Sequence, residues 1–110
     1  MKALVVVDGG ICGFQTRIHA DSEDSQNVTF KIASGCEKAR AFGEALTAKG
    51  PVDGYAEIGA GSDGIVLTTA RESLKGCCAA CAVPVGTFKA MQVAAGVALP
   101  KDVTLKITAE

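Results

Sequence analysis

From Phe14 the chain alternates strictly. Phe14, Thr16, Ile18 and Ala20 fall on one side, and Gln15, Arg17, His19 and Asp21 on the other. A helix, with 3.6 residues per turn, cannot bury such a set on one face; a strand, whose side chains point to opposite faces in turn, does so naturally. After the polar stretch Asp21 to Gln26, the pattern resumes, with Val28, Phe30 and Ile32 alternating with Thr29, Lys31 and Ala33. Two half-buried strands around one short polar loop predict an antiparallel hairpin. Ahead of it, the apolar run from Lys2 to Val7, stopped by Asp8-Gly9-Gly10, predicts a buried strand.

The period then changes. Ser34-Gly35-Cys36-Glu37 matches an S-x-x-E capping box, with Ser34 as N-cap and Glu37 three residues on. Ala39, Phe42, Gly43 and Leu46 follow as the core stripe of a helix that Gly50-Pro51 ends. Val52 to Gly64 is Gly-rich and predicts a loop with one short turn near Tyr55 to Ile58. A second helix spans Ile65 to Lys75, stacking Val66, Ala70 and Leu74 before Gly76. A third begins near Val85, carries Phe88, Met91 and Ala95 on one side, and stops before Pro100. Val103, Leu105 and Ile107 alternate with Thr104, Lys106 and Thr108, a closing strand expected to return to the sheet. Strands first, helices next and one strand last give an α+β fold: a mostly antiparallel sheet of three to four strands with helices on one face.

At 110 residues the chain is one domain, 1–110, with core enough to fold without disulfide staples. The net charge of −1 comes with no basic patch, which argues against nucleic acid or an anionic membrane as partner. One Tyr and no Trp leave no aromatic platform for bases. The apolar run at the N-terminus is too short for a signal peptide or a bilayer span, so a cytoplasmic protein is expected.

In a reducing compartment, five cysteines read as ligands or redox groups rather than as disulfides. Cys12 lies in the glycine-flanked turn that feeds the hairpin. Cys36 falls at a helix start, where free N–H groups and the positive end of the dipole favour a negative sulfur. Cys77, Cys78 and Cys81 precede another helix, and Cys78-Ala79-Ala80-Cys81 has the C-x-x-C spacing that lets two thiolates reach one ion. Cys12, Cys36, Cys78 and Cys81 are the expected ligands of an iron–sulfur cluster or Zn²⁺. Cys77 is a spare thiol, a redox partner or the fourth ligand in place of Cys78. The competing reading is a thiol–disulfide redox protein using Cys78 and Cys81; a third is an interaction domain whose cysteines merely pack.

Gly10-Ile11-Cys12-Gly13-Phe14, Ser34-Gly35-Cys36, Cys81-Ala82-Val83-Pro84 and Ala98 to Val103 together resemble a small uncharacterised domain family of anaerobic prokaryotes. That resemblance spans nearly the whole chain and implies no activity. More distantly, the order of parts is similar to the NifU/IscU-type iron–sulfur scaffold domain. The likeness implies a three-cysteine site for a nascent cluster or zinc, here Cys12, Cys36 and Cys81. Where that scaffold has an Asp two residues after its first Cys, this chain has Phe14; where it has a His before its last Cys, this chain has Ala80. An all-thiolate site without that carboxylate suits a stable holder, carrier or sensor better than a scaffold that must release its cargo.

No Ser/His/Asp set or catalytic carboxylate pair can be assembled, so a binding protein is expected rather than an enzyme. His19 reads as a solvated strand residue, Glu57 and Asp63 as solvated loop residues, and Phe88 and Met91 as core. Asp8-Gly9-Gly10 lacks the helix and Lys of a phosphate loop. Donor or acceptor proteins for the metal or cluster, and a second copy of the chain, are the partners left open.

Overall fold

The computed structural model describes all 110 residues. Strands β1 (Lys2–Asp8), β2 (Gln15–Asp21) and β3 (Asn27–Ser34) form an antiparallel meander, and the two-residue β4 (Val52–Asp53) adds to β3, giving the order β1-β2-β3-β4. The register sets three rows on the core face: Val7–Thr16–Ser34, Val5–Ile18–Ile32 and Ala3–Ala20–Phe30. The opposite face carries Val6–Arg17–Ala33 and Leu4–His19–Lys31. The alternation thus sorts the hairpin as expected, with Thr16, Ile18, Ala20, Val28 and Phe30 buried. Asp24 ties the β2–β3 loop, accepting the backbone N–H of Gln26 (3.0 Å) and Asn27 (2.8 Å) and the Asn27 side-chain amide (2.8 Å). These bonds stabilise the carboxylate and hold its pKa down at about 2.

Helix α1 (Glu37–Ala48) buries Ala39, Phe42, Gly43 and Leu46 and lies on the sheet at Ile32. Helices α2 (Gly54–Ala60) and α3 (Ile65–Ser73) follow, then α4 (Val83–Ala94). A Cβ on Gly86 of α4 would stand 2.7 Å from Val7 Cγ2 and 3.2 Å from Val5 Cγ1 and Ile18 Cδ1, so only glycine lets the helix sit this close to β1 and β2. Ile18 and Ile32 share a row, so α1 and α4 cover the same face. This is the α+β layering expected, a sheet with helices on one side. By length and composition, Gly76–Ala94 could cross a bilayer. Here extended backbone at Cys81 interrupts its helix, and its second half packs on the sheet.

Several expectations are corrected. Ser34 is not a helix N-cap: it ends β3, and its hydroxyl bonds Thr16 Oγ1 (2.8 Å) and accepts the Cys36 N–H (3.1 Å). Pairing with Thr16 keeps Ser34 in the strand, so Cys36 becomes the N-cap and the helix starts at Glu37. The stretch expected as a loop contains α2, capped by Asp53, whose carboxylate accepts from Tyr55 N (2.9 Å) and Ala56 N (3.0 Å). Glu57 is not solvated but 4% exposed, and it accepts the N–H groups of Ile65 (3.0 Å) and Val66 (2.6 Å) at the start of α3. β1 is an edge strand with one wet face, leaving Leu4 48% and Val6 44% exposed. The closing strand is absent: residues 101–110 are exposed and have no regular structure.

Candidate thiol site at one end of the sheet

The register decides where the cysteines go. Asp8 pairs with Gln15, and Thr16 with Ser34, so the β1–β2 turn and the β3–α1 junction leave the sheet at the same end. The first holds Cys12 in a turn of 3-10 helix, Gly10–Cys12, closed by Gly13 N–H to Gly10 O at 2.9 Å. The second holds Cys36. The two touch through Phe14, whose ring packs on Gly35: a Cβ there would be 3.1 Å from Phe14 Cδ1.

Helix α4 brings the rest. Gly86 seats against Val7 near that same end, whereas Ala95, just past the helix, seats against Gly54 at the opposite end, where Gly54 N–H bonds Gln26 O at 2.8 Å. The N-terminus of α4 therefore points to the cysteine end. Immediately before it, Gly76–Ala80 forms another 3-10 turn carrying Cys77 and Cys78, followed by Cys81. The Cys12 turn and the Cys36 junction thus share this end by register, and the Cys77–Cys81 segment leads into the helix terminus that points to it.

Within that end they stay apart. No set of three or more His, Cys, Asp or Glu side chains is grouped so that it could hold a metal ion, and all five cysteines are free. Cys12 Sγ turns back to Gly9 O at 3.6 Å and lies over Gly9, where a Cβ would overlap the sulfur. Cys36, half-buried, has extended backbone; its carbonyl accepts Arg40 N–H (3.0 Å), and its side chain bonds none of the free N–H groups of the first turn. Cys78 and Cys81 are half-buried against the core, Cys81 N–H bonding Cys78 O (3.1 Å) and Cys81 Sγ accepting Val83 N–H (3.5 Å). Cys77 is exposed.

The model of a family of unknown function, DUF6951, matches residues 3–107. The chain belongs to that family. No curated protein and no solved structure matches it. Membership in DUF6951 covers the three cysteine segments and most of the exposed C-terminal stretch.

The remaining sequence candidates lie elsewhere. His19 is exposed on the outer face of β2, between Leu4 and Lys31, away from the Cys12 turn. Phe88 is half-buried and Met91 fully buried, both in or against the core. Glu57, which no local motif flagged, proves to be a structural cap, eight and nine residues from the N–H groups it accepts.

Proposed function

We propose that this protein holds a metal ion or iron–sulfur cluster at the cysteine end, with Cys12, Cys36, Cys81 and Cys78 as thiolate ligands. What supports the reading is the sheet register, which brings the Cys12 turn and the Cys36 junction to one end, together with the seating of α4, whose N-terminus, just after Cys77 to Cys81, points to that end. The sulfurs there suit Zn²⁺ or iron. The thiols are not grouped as a ligand set, so binding has to draw them inward; metal sites commonly form only as ligands close around the ion. Two of the segments are short 3-10 turns, and glycines with positive φ flank the Cys12 turn at Gly10 and Gly13.

The likeness to the NifU/IscU-type scaffold, and an origin in anaerobic prokaryotes, belong to this reading. The scaffold's Asp position is taken by Phe14, which packs on Gly35 instead of offering an oxygen. That supports a holder, carrier or sensor in a reducing cytoplasm over an assembler. Donor and acceptor proteins are its natural partners.

The test is metal analysis on protein prepared without oxygen and offered Zn²⁺, or iron with sulfide. Stoichiometric metal, lost in Cys36→Ser and kept in Cys77→Ser, is the expected result. Protein that stays metal-free under both conditions overturns the reading.

One observation favours a second reading. The Cys78–Cys81 turn hydrogen bond sets the two residues one 3-10 turn apart, just ahead of the start of α4. Thiol–disulfide exchange with a partner would then join the two sulfurs. Cys78 and Cys81 would release two protons and two electrons, reducing the partner disulfide to two thiols. Reversible formation of a Cys78–Cys81 disulfide in metal-free protein, found by peptide mapping, distinguishes this reading.

A further inference from the structure

The sheet has two edges, and only one is guarded. On the β3 side, β4 pairs with the first residues of β3, and α1 side chains occupy carbonyls further along: Thr47 Oγ1 donates to Phe30 O (3.4 Å) and Arg40 to Ser34 O (3.1 Å). β1 has no such cover. Its seven residues present a free row of N–H and C=O groups, with apolar side chains on both faces. An exposed apolar edge strand is a template for another strand. On the core face α4 leaves a gap beside it, because Ala3 and Val5 point inward yet are only half-buried.

The chain also carries an unused strand. Val103, Leu105 and Ile107 alternate with Thr104, Lys106 and Thr108, yet Leu105 is 76% and Ile107 94% exposed. No hydrogen bond ties residues 98–110 to the rest of the molecule. The spacing of Val103, Leu105 and Ile107 matches that of Ala3, Val5 and Val7. Laid beside β1 with those three on the core face, the segment would pair the open edge and fill the gap.

The segment does not pair with the β1 of its own chain. Gly96 N–H bonds Val93 O (3.0 Å) and Val97 N–H bonds Gln92 O (2.9 Å), a Schellman-type closure that holds both residues to the helix end. Beyond them residues 101–110 stand exposed in a molecule 45 Å long and only 27 and 24 Å across. A single chain thus leaves both its open edge and its strand-patterned segment unused, and a second copy offers each its complement.

We propose that this protein dimerises by reciprocal strand exchange, the Val103–Thr108 segment of each copy pairing with the open β1 edge of the other. Exchange in both directions closes both edges under a two-fold axis. Backbone hydrogen bonds supply the docking and the Val103, Leu105 and Ile107 side chains the register.

The experiment is light scattering across the micromolar range on the full chain, on a chain ending at Pro100, and on Leu105→Asp and Leu105→Ile. The full chain and Leu105→Ile are expected at twice 11.1 kDa, and the truncated chain and Leu105→Asp each at the mass of a single chain, with unchanged circular dichroism. Leu105 is exposed and outside the core, so its replacement leaves the fold intact. A monomeric full chain overturns the proposal, whether hydrogen exchange finds the segment free or protected on its own β1. A dimer that survives the truncation overturns it as well.

Discussion

Glu57 Oε1 accepts the N–H of Val66 at 2.6 Å, and its second oxygen takes the N–H of Ile65, so a side chain from α2 caps α3. The first N–H groups of a helix have no partner within it, and a buried one left unpaired costs about 1–3 kcal/mol. Val66 is fully buried, and Glu57 nearly so. Glu57→Ala is expected to lower stability by about 2–4 kcal/mol, the upper end requiring both donors to lose their partner. Glu57→Gln keeps one acceptor oxygen and should fall between. Urea unfolding of the three proteins at neutral pH measures this; equal midpoints for wild type and Glu57→Ala would refute the cap.

Gly86 sets how closely α4 approaches β1. With an alanine Cβ at 2.7 Å from Val7 Cγ2, either the helix or the strand must shift. Overpacking of this kind costs about 1–3 kcal/mol. Val7→Ala removes the facing methyls, so the double variant should lose less than the sum of the two single ones. A thermal-denaturation cycle reads that coupling. Strict additivity would refute the Gly86–Val7 contact.

Asp24 gives the protein an acid limit. Its carboxylate is bonded first by the Asn27 side chain, then by the Asn27 and Gln26 backbone, and its pKa falls from 3.8 to about 2. A carboxyl group with a depressed folded pKa contributes stability that is present above the unfolded value and lost as pH falls through the folded one. Asp24→Ala should therefore weaken the fold at neutral pH, and the gap to wild type should close as pH falls from about 4 to about 2. Unfolding midpoints across that range, with carbon NMR of the Asp24 carboxyl, follow it directly. A gap that persists unchanged at pH 2 would assign the effect to something other than charge.

The parts of the fold legible in sequence are those whose pattern is local. Period-two runs sorted Thr16, Ile18 and Ala20 inward because a strand has no other choice, and the stripe of Phe42, Gly43 and Leu46 did the same for α1. Long-range consequences were hidden. Val103, Leu105 and Ile107 read as a strand, but whether they find an edge depends on where α4 ends. The run from Lys2 to Val7 cannot show that β1 has one wet face. Glu57 lacks a capping motif because its helix starts eight residues later. For the candidate site, the sequence placed the cysteines in turns and at helix starts, and the hairpin register accounts for the Cys12 turn and the Cys36 junction leaving the sheet at one end. The direction of each sulfur depends on turn conformations, such as that of Cys12 over Gly9, that composition does not encode.

That difference makes thiol accessibility the sharpest probe of the site. In metal-free protein Cys12 and Cys77 are exposed, whereas Cys36, Cys78 and Cys81 are half-covered. Brief alkylation under reducing, oxygen-free conditions should mark the first two ahead of the other three. If metal draws the ligands together, adding Zn²⁺ should protect Cys12, Cys36, Cys78 and Cys81 while Cys77 labels as before, because a coordinated thiolate is a poorer nucleophile and is shielded by its neighbours. Cys12 is the telling residue, since it must change from an exposed thiol to a protected one. Mass-spectrometric mapping reads each site separately. Protection of Cys77 in place of Cys78 would reassign the fourth ligand, and Cys12 labelling unchanged by metal would remove the β1–β2 turn from the site.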